Sequence, residues 1–441
     1  MSNKNQQSMR KKSILSGLML LCVALFTFTG CDKMSSFDNA VPNYISLDEK
    51  SIDLSFGTTY QIKVNTINNL VPCTYQSMDE RVVTVDENGL VTAVGPGETG
   101  IVIRQDADET GAYKYGQIDL KVNVPAPLTL KAYGKGTINV YFNNYQTEKP
   151  ICYTIDGKTT AITTDTEIPV KNGDVVYFTS ANKTLAPENG GWANLGVQIL
   201  PQVRTEIYGN VMSLISPDGN YVDNKTITKP FAFYHLFDNA WNIYSNWQYK
   251  LELPATTLTR GCYNYMFCNT GIDNISELPA TTMAEYCYQG MFASCWNLYQ
   301  APELPAKTLA EGCYAFMFAQ SGVSNVPGLP ATELADWCYQ EMFWGCYNLY
   351  EAPVLPAKTL KSGCYNRMFA YCNYLNSVTC LATTLSGSGY DTQDWLFEAG
   401  EYAWATPTFK KAASNNNWYN VGGWGTTDWG IPSAWNIINA E

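Results

Sequence analysis

The chain has 441 residues, 46% of them hydrophobic, enough for about two to four domains of roughly 100–200 residues each. A formal charge of -12 argues against nucleic acid as a partner, because neutralising phosphates takes a surplus of lysine and arginine. The single histidine, His235, leaves no material for a histidine metal cluster or a histidine-based catalytic centre, so no catalytic residue, metal or cofactor is expected.

The N-terminus reads as an address. Lys4, Arg10, Lys11 and Lys12 precede the apolar run 14–28, which is short for a membrane span and suited to a secretory signal. It ends in Thr27-Phe28-Thr29-Gly30-Cys31. A small residue before a cysteine, directly after the apolar run, resembles the lipobox of bacterial lipoproteins. That resemblance implies a signal peptide over residues 1–30, a linker over 31–42, and lipid on Cys31 that holds the chain in the cell outer membrane. Each buried methylene of such a lipid contributes about 0.8 kcal/mol. Surface exposure is the expected orientation, and Asp32 beside Lys33 leaves the periplasmic face open as the alternative.

Residues 43–125 carry short β-branched runs, among them YQIKVNTI, RVVTVD, TGIVIRQ and QIDLKVNV, separated by turn residues at intervals that predict an all-β sandwich. The stretch Asp86-Glu87-Asn88-Gly89-Leu90-Val91-Thr92-Ala93, followed by Gly95, Gly97 and Gly100, resembles the bacterial immunoglobulin-like group 2 domain. The family implies a spacer or adhesion module. The same glycines match G-x-G-x-x-G, but the strand-like Ile101-Val102-Ile103 follows them where a dinucleotide site needs a helix. Residues 126–228 read as a second β-sandwich. Within them Asp218, Asn220 and Asp223 lack the alternating acids and closing glutamate of a calcium loop and are read as turn chemistry.

Repeats occupy residues 229–393. Leu-Pro-Ala recurs from Leu253, Leu278, Leu304, Leu329 and Leu355, with Cys-Tyr and Met-Phe in step, at a period alternating between 25 and 26 residues. A fixed period of this size predicts a solenoid. Leu309, Cys313 and Met317 fall at i, i+4 and i+8, which predicts a short amphipathic helix in each unit. Thr308 with Glu311, and Thr282 with Glu285, have the spacing of capping boxes. The set Met291-Phe292, Cys295, Leu298 and Leu304-Pro305, with its counterpart Met342-Phe343, Cys346, Leu349 and Leu355-Pro356, resembles the BspA-like leucine-rich repeats. The family implies alternating helices and short strands, and a surface protein that adheres to host proteins, other cells or polysaccharide without catalysis. Residues 394–441, with six of the twelve tryptophans, are expected to cap the stack. The expected architecture is therefore multidomain: all-β immunoglobulin-like sandwiches followed by an α/β leucine-rich-repeat solenoid.

Inside the repeats an aromatic pair returns as WNIY, WNLY and YNLY. Phe292, Cys295 and Leu298 should face inward, which turns Trp296, Asn297 and Tyr299 outward. The candidate ligand-binding row is Trp241, Tyr244, Trp296, Tyr299, Tyr347 and Tyr350, with Asn242, Asn297 and Asn348 placed to meet hydroxyl groups. The alternative is that these rings pack on one another along a ridge. Two functions follow: a non-enzymatic lipoprotein adhering to host or matrix protein or to another cell surface, which the repeat family favours, and a surface polysaccharide-binding lipoprotein of a glycan-uptake system, which the aromatic row favours. If Cys31 carries lipid, growth with a labelled fatty acid tags the mature protein and Cys31→Ala abolishes the tag; unchanged labelling of that variant would refute it.

Overall fold

The computed structural model describes residues 41–191, 195–275, 277–422 and 427–440. The signal segment and Cys31 lie outside the described residues.

The β-branched runs of the first module form two packed sheets. Strand Gly97–Gln105 pairs antiparallel with Gly116–Val124 over its whole length. Thr74–Ser77 extends this sheet on one side and Ser51–Asp53 on the other. Thr59–Gln61, Leu90–Ala93 and Val83–Val85 make the facing sheet. Alternate residues Ile101 and Ile103, and Leu120 and Val122, point into a core shared with Val83 and Val91, the period-two burial of a sheet with one wet face. Gly97 and Gly100 thus lie on a strand and open no helix.

The next sheet runs in the order Lys158–Ile162, Ile151–Ile155, Val175–Ser180, Leu128–Ala132, Thr205–Asn210, faced by Thr166–Val170, Gly136–Tyr141 and Gln198–Pro201. Tyr221 fastens it to the first module: its hydroxyl donates to the Pro125 carbonyl at 2.6 Å and accepts the Phe56 N–H at 3.0 Å. Strand Thr205–Asn210 is buried at every position, and its far edge pairs parallel with Ile243–Ser245 and Leu251–Glu252 from the first repeat coil. One hydrophobic core therefore continues from Leu128 through the repeats to Trp435.

The repeats do not form the α/β leucine-rich-repeat solenoid that their spacing predicts. Among the described residues, helical geometry is confined to the single 3-10 turn Val211–Leu214. Residues 229–393 are coils made of consecutive turns. In each unit backbone φ becomes positive at three positions four residues apart, as at Gly261, Tyr265 and Asn269, or Gly312, Phe316 and Gln320. A left-handed residue at that interval interrupts any α-helix, yet the spacing of four survives, so Leu309, Cys313 and Met317 are all buried. The capping boxes are overturned with the helix. Thr282 and Thr308 pair with each other in a parallel bridge, and the Glu285 and Glu311 carbonyls accept N–H groups of the preceding coil, from Gly261 and Tyr286, at 2.9 Å each.

Two sets of backbone bonds replace the helical ladder. Cys262, Asn264, Met266 and Cys268 donate to the carbonyl three residues back at 3.1–3.3 Å, closing turns. Tyr263, Tyr265 and Phe267 donate instead to Cys287, Gln289 and Met291 of the next coil at 2.9–3.0 Å. A left-handed non-glycine residue costs roughly 1–2 kcal/mol, and the inter-coil bonds and ring packing offset it. Where a ring from one coil lies flat over the next, glycine is needed: a Cβ on Gly363, at φ +62, would sit 2.1 Å from the Trp337 ring.

The recurring Cys-Tyr and Met-Phe pairs fill the interior. Tyr263, Tyr288, Tyr314, Tyr339 and Tyr365 stack coil on coil with centroids 5.6–6.1 Å apart. Phe237, Phe267, Phe292, Phe318, Phe343 and Phe369 form a second ladder at 5.3–5.9 Å. Such ring pairs add about 0.5–1.5 kcal/mol each beyond area burial. Trp395 continues the tyrosine ladder, 6.3 Å from Tyr365, and is covered by Trp418 and Phe409.

The twelve described cysteines are all free thiols. Burial pushes Cys295 up to about 11 and Cys287, Cys338 and Cys346 up to about 12, which suppresses the reactive thiolate. Maleimide added to the native protein should label, among the described cysteines, Cys73 and Cys152, and Cys268 more slowly, because burial pushes its thiol well up despite its partial exposure. The buried ones should react only after unfolding, as peptide mapping by mass spectrometry would record.

Candidate functional site

The two unit lengths differ at one corner of the coil. Units of 26 residues run Cys295-Trp296-Asn297-Leu298, whereas units of 25 run Thr270-Gly271-Ile272 or Ser321-Gly322-Val323. Cys295 and Leu298 are fully buried and so hold the two residues between them away from the core. In the shorter units glycine takes their place because the neighbouring corner leaves no room. A Cβ on Gly322 would lie 2.1 Å from the Trp296 carbonyl oxygen. From Trp241 to Tyr347 aromatic corners therefore alternate with trimmed ones, and the next corner, Cys372-Asn373-Tyr374-Leu375, is again a long one.

Trp241, Trp296 and Tyr347 stand exposed at these corners, Trp296 at 53%. The interior ladders place rings of successive coils 5.3–6.1 Å apart, so corners in alternate coils are two such steps apart. The asparagines beside them serve the stack. The Asn297 amide donates to the Gly271 carbonyl and the Asn348 amide to the Gly322 carbonyl, each at 3.4 Å, and Asn242 donates to the Pro201 carbonyl at 3.2 Å. All three are half-buried, so their first task is to tie each corner to the preceding coil or sheet.

Tyr299 and Tyr350 follow on the adjoining flank and are exposed. Tyr244 is not equivalent. It is half-buried, the Arg204 guanidinium lies 4.6 Å from its ring centroid, and a Cβ on Gly271 would come within 2.8 Å of the ring. Both approaches to Tyr244 are taken, and it drops out of the accessible row.

The flank brings in residues that the repeat motif did not single out. A cavity of about 540 Å³ is lined by Trp247, Asp273, Asn274, Asn297, Tyr299 and Gln300, with Ser245 and Asn246 at its edge. Trp247 is 85% exposed. Two coils on, a second cavity of about 340 Å³ is lined by Ser324, Asn325, Tyr350 and Glu351. Parallel bridges Gln300↔Asn325 and Glu351↔Ser377 keep the coils in register, and the Ser245 hydroxyl donates to the Asn274 carbonyl at 2.7 Å. Beyond Tyr350 the aromatic surface continues through Tyr374 and Trp404, with centroids 6.2 and 5.6 Å from the Tyr350 ring. Writing the units in register would have exposed this signal, since Asp273-Asn274, Tyr299-Gln300, Ser324-Asn325 and Tyr350-Glu351 share one position. Trp247 lies outside the repeat motif and carries no such mark.

Exposed rings offer flat apolar faces, and the amides, hydroxyls and carboxylates between them offer hydrogen bonds. That combination suits a ligand with an apolar face and a polar rim. His235 is buried, with Nδ1 2.6 Å from an Asp238 carboxylate oxygen, and is remote from solvent. Among the described residues no group of three His, Cys, Asp or Glu side chains is placed to hold a metal ion. No protein-family model matches the chain, and no curated protein is significantly similar to it.

Exposure separates the two readings of the row by stability. Trp296→Ala and Tyr299→Ala should each shift unfolding by no more than about 0.5 kcal/mol, whereas Phe292→Ala in the ladder should cost about 3–5 kcal/mol. Denaturant melts of the three variants check this, and a large loss in all three would make the row architectural.

Proposed function

We propose that the chain is a non-enzymatic, carbohydrate-binding lipoprotein of the cell envelope, anchored through Cys31, with the coil stack as its recognition surface and the two β-modules as spacers. The observation that carries this reading is the flank cavity in which the exposed Trp247 and Tyr299 meet Asp273, Asn274 and Gln300. Pyranose rings pack an apolar C–H face on an aromatic ring while their hydroxyls reach amides and carboxylates at the rim. Adhesion to a host protein drew its support from the helix-bearing repeat family, and the described residues of the coils contain no such helix. The alternating exposed rings and the acidic balance of -12 support sugar over an acidic protein partner.

The mature chain, kept soluble by Cys31→Ser, is offered a glycan array and immobilised matrix proteins side by side. Retention on polysaccharide is expected, with Tyr299→Ala lowering affinity about tenfold, the scale of one lost ring contact. Capture by matrix protein with no glycan bound would overturn the proposal in favour of adhesion.

A further inference from the structure

Resting on the carbohydrate reading above, the geometry points to one class of glycan: an uncharged, extended, β-linked polysaccharide with a two-fold repeat, bound along the middle of its chain. Three features of the flank carry this.

The first is alternation. From Trp247 to Tyr350 the flank alternates: Tyr299 and Tyr350 stand two coils apart, with Ser324-Asn325 on the coil between them and Asp273-Asn274 on the coil before Tyr299. A ribbon-like β-linked chain turns each sugar over relative to the last, so every second ring shows the same face. Ladder rings of successive coils lie 5.3–6.1 Å apart, a step on the scale of one sugar ring, so one sugar falls on each coil. Rings of one orientation stack on tyrosine, and those of the other meet the polar pairs. A surface with an aromatic ring on every coil would have no such preference.

The second is straightness. Here the parallel bridges Gln300↔Asn325 and Glu351↔Ser377 join successive coils residue to residue along this flank. Equivalent residues of the flank therefore follow one another in a row, and an extended chain keeps contact along it where a coiled α-linked glycan would lift away. The fully exposed Trp247 and Trp404, at 85% and 83%, stand at the two ends, so a long chain runs off both sides. At about one sugar per coil, the strip from Trp247 to Trp404 takes about six rings.

The third is charge. Asp273 lines the first cavity and Glu351 the second, and neither has a lysine or arginine among its described lining residues. Uronate or sulfate groups on the chain would meet like charge.

The test is titration of the mature Cys31→Ser chain with β-linked gluco- and manno-oligosaccharides of two to eight rings, a carboxymethylated form of the same chain, and an α-linked malto-oligosaccharide of six rings. Affinity should climb about a hundredfold from the disaccharide to a plateau near six rings, the gain of about two further ring contacts. Trp404→Ala, with an unchanged melting curve, should move the plateau to shorter chains. Equal affinity for the charged or α-linked chain, or full affinity already at the disaccharide, would overturn this inference and leave carbohydrate binding standing. Failure of every carbohydrate would overturn the carbohydrate reading itself.

Discussion

In the coil stack Tyr263, Tyr265 and Phe267 give their N–H groups to the next coil, while the residues between them close turns within their own. This division removes the independence of every unit. An α-helix would satisfy its backbone internally and leave only side chains to join neighbours, whereas a coil of turns has half of these donors unmet until another coil is laid on it. The ring ladders follow from the same register, because bonds from residue to residue of successive coils bring tyrosine over tyrosine and phenylalanine over phenylalanine. Such an array needs a template and an end. Strand Thr205–Asn210 provides the first by pairing with Ile243–Ser245, and Trp395 beneath Trp418 provides the second.

The surface inherits its pattern from this interior. Coils locked in register cannot drift sideways, so a corner that bulges in one unit presses on its neighbour. The glycines at 271 and 322 are the relief. The accessible rings are thus spaced by backbone geometry and need no contact with one another to hold their positions, an arrangement that leaves their faces open at little cost in stability.

The sequence made part of this legible. Strand alternation marked Gly97–Gln105 and Gly116–Val124, and the inward set Phe292, Cys295 and Leu298 correctly turned Trp296 and Tyr299 to solvent. The helix was misread for a physical reason: four-residue turns and 3.6-residue helical turns place apolar side chains at almost the same intervals, and only φ at residues such as Tyr265 and Phe316 tells them apart. Aromatic residues at positive φ are uncommon, so nothing in their identity announces it. Asn297 and Asn348 were legible as polar residues beside a ring, but their carbonyl partners lie 26 residues back, across a coil contact that no local pattern shows. Tyr244 fails as a candidate because Arg204, from a different module, covers it.

Between Trp241 and Tyr347 the alternation of long and short corners also constrains how the array can change in length. Inserting or removing a single unit would set two aromatic corners side by side, or two glycine corners, and shift every later ring by one coil against the earlier ones. Adding or removing a long and a short unit together keeps both the close packing at Gly322 and the two-coil rhythm of the flank. Over this stretch the unit of change is therefore a pair of coils, one long and one short, of about 51 residues.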